Sequence, residues 1–265
     1  PSRITTLGDI PNFYFGAYCG SFGGNASKMV GKFPQTLIYP AAYPADGAFA
    51  AVVSDVVKVG TVLPTIQTLV NNLEPDTRVF DNTPSPMAAA STDPTEFQFY
   101  NMAGILRLKI YYSHTETTDV AGILRITLKG NNGEILSGPV AMTFNPDDGK
   151  PIVSTAVKDN AKAVSEYGAG GKEKVIIDLS TCTRIVNGEN KPGLQLPDDV
   201  NNPLEVNLVV IPQTFTKGFT VEIMDASTMG TQVYKVNDEI TIERSMIKEM
   251  TAIDYVKPAP LEVAN

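Results

Sequence analysis

From Gly104 to Tyr112 apolar and polar residues alternate, with Leu106, Leu108, Ile110 and Tyr112 on one side and Arg107 and Lys109 on the other. A period of two marks a strand with one buried face. Residues 123–129 repeat the device, setting Leu124, Ile126 and Leu128 against Arg125 and Lys129. Asn131-Asn132-Gly133 follows at once, then the short run Glu134–Ser137. Asn and Gly accept positive φ at little cost, so this stretch predicts a hairpin. Further strands are expected at Val175–Leu179, Leu204–Val210 and Phe219–Ile223, then at Thr231–Val236 and Ile240–Glu243 as a meander-like run. Short strands separated by turn signals indicate a sandwich or barrel, and no βαβ alternation is visible.

The first third is less regular. A strand is expected around Phe13–Tyr18 and another at Thr36–Tyr39, before Pro40. Residues 48–59 are ambiguous, because their valines favour a strand while the alanines permit a helical turn. Val62, Pro64 and Ile66 continue in extended form. Residues 81–96 hold three prolines among Ser, Thr, Asn and Asp, which reads as a connector. With 265 residues, two domains are expected, 1–95 and 96–265, the second ending in a tail at 251–265.

Composition agrees with an all-β chain. The 21 glycines and 19 prolines are too dense for long helices. The net charge of −8 argues against nucleic acid and against an electrostatic anchor on an anionic membrane. No stretch of about 18 uncharged apolar residues is present to span a bilayer. Cys19 and Cys182 lie far apart without a CxxC pair, which excludes a zinc motif. They either form one disulfide or, as a core of this size allows, stay as two buried thiols. The chain opens on Pro1 rather than Met, as expected if a leader, with or without a lipid-attachment Cys, has been removed.

No constellation for catalysis emerges. The single histidine, His114, lies in a polar turn without an orienting partner in sequence. Gly168–Lys172 lacks the Walker pattern, with Glu166 and Glu173 at the two deciding positions. Asn145–Gly149 is acidic but lacks calcium-loop spacing, and reads as a Pro-containing turn. Asn25-Ala26-Ser27 matches a glycosylation sequon by pattern only. Glu166, Glu173, Asp178 and Glu205 are candidate acid–base residues only as any carboxylates are. The expectation is a protein that is not an enzyme, with no cofactor and no metal.

Six stretches then line up in order with one family. Leu63-Pro64-Thr65-Ile66-Gln67-Thr68 resembles an "LPxxQ" segment, Pro86-Met87-Ala88-Ala89-Ala90 follows it, and Phe97–Leu108 resembles an "FKNLCGLLKL" strand. In that strand, Tyr100 and Met102 stand for Lys and Leu, and Ala103 for Cys. Gly133–Gly138 is similar to "GExLSG", Val210–Val221 to "PxxFxxGFTV", and Ile240–Met250 to a closing strand. The set resembles the fimbrillin (type V pilus subunit) family of Bacteroidetes surface proteins, over residues 63–250, with residues 1–60 matching poorly.

The resemblance implies two tandem transthyretin-like Greek-key β-sandwich domains. It implies an exported subunit, lipidated as a precursor, that sits on the outer membrane or cell surface and mediates adhesion. Its partners would be other pilus subunits, self or related, joined by strand donation, together with a surface receptor. The tail Thr251–Asn265 is then a candidate donor strand, with Ile253, Tyr255, Leu261 and Val263 as plugs, and Arg3 a trypsin-like processing point. The alternative is a surface lipoprotein that binds glycans or another ligand on a patch of Tyr14, Tyr18, Tyr39 and Tyr43.

Overall fold

A computed structural model describes the backbone of residues 14–15, 35–39, 49–53, 56–68, 87–91, 100–113, 121–144, 152–154 and 172–260. Side chains are described for 63–68, 100–113, 121–140, 142 and 172–260. The described chain is all-β, without a helix. Its first strands are β1 (Tyr14–Phe15), β2 (Gln35–Tyr39), β3 (Phe49–Val53), β4 (Val56–Leu63), β5 (Ile66–Thr68), β6 (Met87–Ser91) and β7 (Tyr100–Asn101). Next come β8 (Gly104–Tyr111), β9 (Gly122–Gly130), β10 (Gly138–Phe144), β11 (Ile152–Ser154), β12 (Lys174–Asp178), β13 (Thr183–Val186), β14 (Glu189–Pro192) and β15 (Leu194–Gln195). The last are β16 (Leu204–Val210), β17 (Gln213–Phe215), β18 (Phe219–Asp225), β19 (Thr231–Val236), β20 (Ile240–Ile242), β21 (Ile247–Glu249) and β22 (Ile253–Asp254).

Two sheets enclose the main core. The first has the order β19-β18-β9-β12-β5, with β15 continuing along the β12 edge of β9. The second is β16-β8, with β21 and then β22 lying parallel along the other edge of β8. Leu106, Leu108, Ile110, Val206, Leu208 and Val210 from the second sheet meet Ile126, Leu128, Val175, Ile177, Val221 and Ile223 from the first. Each such side chain stabilises the fold by roughly 1.5–3 kcal/mol relative to exposure. The alternation along β8 is realised in full, buried at even positions from Gly104 to Ile110.

Along β9 it is not. Ile123 is buried with Ile126 and Leu128, while Leu124 is only half-buried. Met224 pairs with Arg125 but Asp225 with Ile123, so Leu124 is an extra residue in the ladder. This bulge shifts the parity of the strand start. The hairpin expected after Asn131-Asn132-Gly133 does not form. Both edges of β9 are taken, by β18 and β12, so the chain leaves the sheet and β10 pairs with β4. The turn is kept all the same, with φ +74° at Gly133, and Glu134 accepts from the Asn132 and Thr216 amides. The meander also stops at β19, because β20 pairs with β17.

In the first third, residues 48–59 resolve as strand, β3 and β4 pairing from Val53 against Val56. The stretch read as a connector contains β6, which pairs with β2. Strand pairing crosses residue 95 among the described residues, through β4 with β10, β5 parallel to β12, and β6 with β7.

One side of the sandwich is closed by Gln67. Its Nε2 donates to the Val209 carbonyl at 2.7 Å and its Oε1 accepts from the Val209 amide at 3.0 Å. The buried amide thus replaces a strand neighbour for β16, joining the edges of the two sheets. Beside it, Ser137 Oγ donates to the Lys174 carbonyl at 2.8 Å, leaving Thr65 Oγ1 to donate to Ser137 Oγ at 2.9 Å. Gln213 Nε2 donates to the Ile135 carbonyl at 2.7 Å, and the Ile211 amide to that of Leu136 at 3.0 Å. The LPxxQ-like, GExLSG-like and PxxFxxGFTV-like stretches therefore converge on one seam. Gln67→Leu would leave both Val209 groups buried without partners, at a cost of roughly 1–3 kcal/mol each. Urea unfolding should show this loss, and a wild-type midpoint would refute the role given to Gln67.

Candidate functional site

The segment expected to serve in assembly is laid down on the edge of β8 opposite β16. After β20 the chain turns at Ser245, whose φ is +64°. The Ser245 amide donates to the Ala103 carbonyl at 3.1 Å, and the Ile105 amide to that of Met246 at 3.0 Å. The Arg244 guanidinium lies 5.4 Å from the centre of the Tyr100 ring, within cation–π reach. β21 then runs parallel to β8, Ile247 opposite Ile105 and Glu249 opposite Arg107. All three β21 side chains are exposed. Main chain holds the strand, helped by Glu249, which pairs with Arg107 at 2.9 Å and Lys109 at 2.8 Å. The Lys109 hydrogen bond and charge, then Arg107, hold the Glu249 carboxyl below its usual value. Exposed pairs of this kind add little stability and weaken in salt.

Beyond Met250, whose amide donates to the Arg107 carbonyl at 3.0 Å, β22 sets Ile253 opposite Ile110. Asp254 accepts from the Ser113 amide at 3.1 Å and from the Ser113 hydroxyl. The Tyr255 amide donates to the Tyr111 carbonyl at 2.8 Å. Its side chain, 1% exposed, enters the core and meets the Tyr112 ring edge-on at 6.2 Å. The hydroxyl donates to Asp225 Oδ2 at 3.0 Å. Asp225 closes β18, so Tyr255 ties the second sheet to the first. Tyr234 on β19 adds to the tie, its hydroxyl donating to the Asp254 carbonyl at 3.4 Å and accepting from the Val256 amide at 3.1 Å. Pro258 and Ala259 then pass so close to Gly230 that a Cβ there would press on both.

Asp225 is fully buried, and its charge is stabilised by its own turn. Oδ1 accepts from the Ser227 amide at 2.8 Å, the Ser227 hydroxyl at 2.7 Å and the Thr228 amide at 2.7 Å. Burial alone would raise this carboxyl. The Ser227 hydroxyl, the Thr228 and Ser227 amides and Tyr255 outweigh it and hold the group below its usual value. Burial first, then the Asp225 charge, push the Tyr255 phenol far up. Burial also raises Tyr234.

Of the sequence-predicted plugs, the structure places Ile253 half-buried in β22 and Tyr255 in the chain's own core. Leu261, Val263 and Arg3 lie outside the described residues, as do His114, Asn25, Cys19, Glu166, Gly168–Gly171, Asn145–Gly149, Tyr18 and Tyr43. Tyr14 and Tyr39 lie on the neighbouring strands β1 and β2. Asp178 caps a turn, accepting from the Ser180 amide at 2.9 Å, and that bond lowers its pKa. Glu205 pairs with Arg107 at 3.4 Å on the outer face, and Glu173 is exposed. Cys182 is a buried free thiol, raised by burial. Among the described residues no three His, Cys, Asp or Glu side chains gather to hold a metal, and no helix is long and apolar enough to cross a membrane. Asp225 and Tyr234 were not singled out by sequence, and Tyr112 was read only as one of the apolar side of its strand. Asp225-Ala226-Ser227 reads as a turn, and nothing local links it to a tyrosine 30 positions on.

No protein-family model and no curated protein matches this chain. Solved structures that align with this chain include a provisionally assigned cell-adhesion protein of Bacteroides ovatus, 10% identical with a TM-score of 0.35, covering 83% of this chain and 63% of that one. A fimbrial protein of Bacteroides vulgatus is 9% identical with a TM-score of 0.40, covering 82% of this chain and 72% of the other. A provisionally assigned cell-adhesion protein of Bacteroides uniformis is 17% identical with a TM-score of 0.34, covering 80% and 70%. The chain spans less than two thirds of the first of these proteins.

The two shifts at the tie set a pH window. The lowered Asp225 contributes fully above the ordinary carboxylate pKa of about 3.9, and that stability is lost as pH falls through the lowered value. The raised Tyr255 contributes fully below about pH 10, and that stability is lost as pH climbs beyond it. The chain has no Trp, so its fluorescence comes from its ten tyrosines, Tyr255, Tyr234 and Tyr112 at the tie among them. Its acid transition should shrink in Asp225→Asn, and an identical transition in that variant would refute the assignment.

Proposed function

We propose that this chain is a non-enzymatic subunit of a cell-surface fimbria, exported to the outer membrane, that joins copies of itself or related subunits by strand donation and serves adhesion. The observation that carries this reading is the attachment of β21 and β22. Residues 247–254 hold to β8 in parallel, largely through main-chain groups, and one side chain, Tyr255, plugs the core. A strand held this way can come from the same molecule or from another, because main-chain pairing supplies affinity and alternate pockets supply specificity. The ordered resemblance of residues 63–250 to fimbrillins supports the same reading. So does the chemistry of the titratable groups. The lowered carboxyls of Asp178, Asp225 and Glu249 are each accounted for by a turn, a buried tie or an ion pair.

Thr251–Asn265 is the donor on this proposal, with Ile253, Tyr255, Leu261 and Val263 as its plugs. Two transthyretin-like sandwiches, a lipid anchor in the precursor and cleavage at Arg3 complete it. Deleting 251–265 should abolish filament growth in electron micrographs and lower the thermal midpoint of the monomer. Unchanged growth together with an unchanged midpoint would dismiss the tail. Arg3→Ala should leave an unprocessed N-terminus by mass spectrometry, and normal maturation would dismiss the cleavage site.

A further inference from the structure

We infer that the Tyr255–Asp225 hydrogen bond is a latch that sets how fast Thr251–Pro260 leaves its own body for a second copy of the chain. This rests on the strand-donation reading. Within Thr251–Pro260 only Tyr255 is buried, while Val256 is 59% exposed and Ile253 half-exposed. Other ties of this segment to β8 and β19 include partly exposed hydrogen bonds involving Ser113, Tyr111 and Tyr234. Withdrawing the segment therefore means lifting the Tyr255 ring out of the core and breaking its buried, charge-assisted bond, and such bonds are among the strongest single hydrogen bonds in proteins.

The acceptor is built independently of the segment. Three donors from Ser227 and Thr228 fix Asp225 Oδ1, and the Asp225 amide donates to the Gly230 carbonyl at 2.9 Å. All of these lie in the β18–β19 connection, so they persist when Tyr255 withdraws and leave Oδ2 aimed into the vacated space. The group that fits that space is a phenol carried on an extended strand. The same segment of a second copy supplies one, and re-forms in trans the bond broken in cis. Exchange between copies then conserves this bond, and its breaking governs the rate.

Tyr255→Phe keeps the ring and removes only the hydroxyl. In hydrogen exchange on the monomer, the Tyr255 and Val256 amides should exchange about tenfold faster or more, from the usual worth of a bond to a charged group. Amides of Ile126 and Val221 in the central strands should keep their wild-type rates. Labelled and unlabelled copies of the variant should also associate faster on mixing. Wild-type exchange at Tyr255 and Val256, or equal acceleration at Ile126 and Val221, overturns the latch. Faster local exchange without any association in either protein upholds the opening step and overturns the strand-donation reading.

Discussion

The side-chain amide of Gln67 donates to and accepts from the main chain of one residue, Val209, and most of the sandwich depends on that exchange. β16 is an outer strand, and its outward main-chain groups would be buried without partners where β5 comes close. A strand could satisfy them only by joining the two sheets into one. A glutamine satisfies them while leaving the sheets separate, because its amide carries one donor and one acceptor at peptide spacing. With Gln67 in place, Leu63 is drawn into the core, Ser137 bridges Thr65 to Lys174, and β5 lies parallel to β12.

The opposite side is closed by different means. There the second sheet does gain neighbours, β21 and β22, and the two sheets are tied by a phenol and a carboxylate instead of an amide and a peptide. The sides differ in what they spare. At Gln67 the tie is neutral and hidden between two strands. At Tyr255 it is charged, and it sits on a segment that is otherwise mostly exposed. Edges are where β-proteins accept or refuse other chains, and here one is stapled by a side-chain amide and the other is covered by two short parallel strands.

The faces of the strands were legible in sequence, and their neighbours were not. Leu106, Leu108 and Ile110 could be read as one buried side because burial requires only alternation. Leu124 misled for the same reason, since a single inserted residue reverses parity without leaving a local mark. Asn131-Asn132-Gly133 announced a turn correctly, but a turn signal cannot say that both edges of the preceding strand are occupied. Met87–Ser91 looked like linker, because the surrounding prolines outweighed five residues whose pairing with β2 is non-local. In the candidate segment, alternation picked out Ile253 and Tyr255, while Asp225 stayed hidden because its carboxylate is explained locally by Ser227 and Thr228. The matched stretches were recognisable as words well before their meaning was visible. Their residues meet one another at the seam.

The Gln67–Val209 pair joins positions 142 apart in the chain, and Arg107 and Lys109 reach Glu249 across 142 and 140. Both sides of the sandwich are thus shut by contacts of very high sequence separation. Loop-closure entropy must be met before such contacts reward it, so folding of this topology is slow and its last steps come late. A ribosome that has released only the first 200 residues has made β8 without either of its eventual neighbours, since β16 begins at Leu204 and β21 at Ile247. Until then the chain carries an apolar strand with both edges open, the state in which β-proteins are most exposed to misassembly.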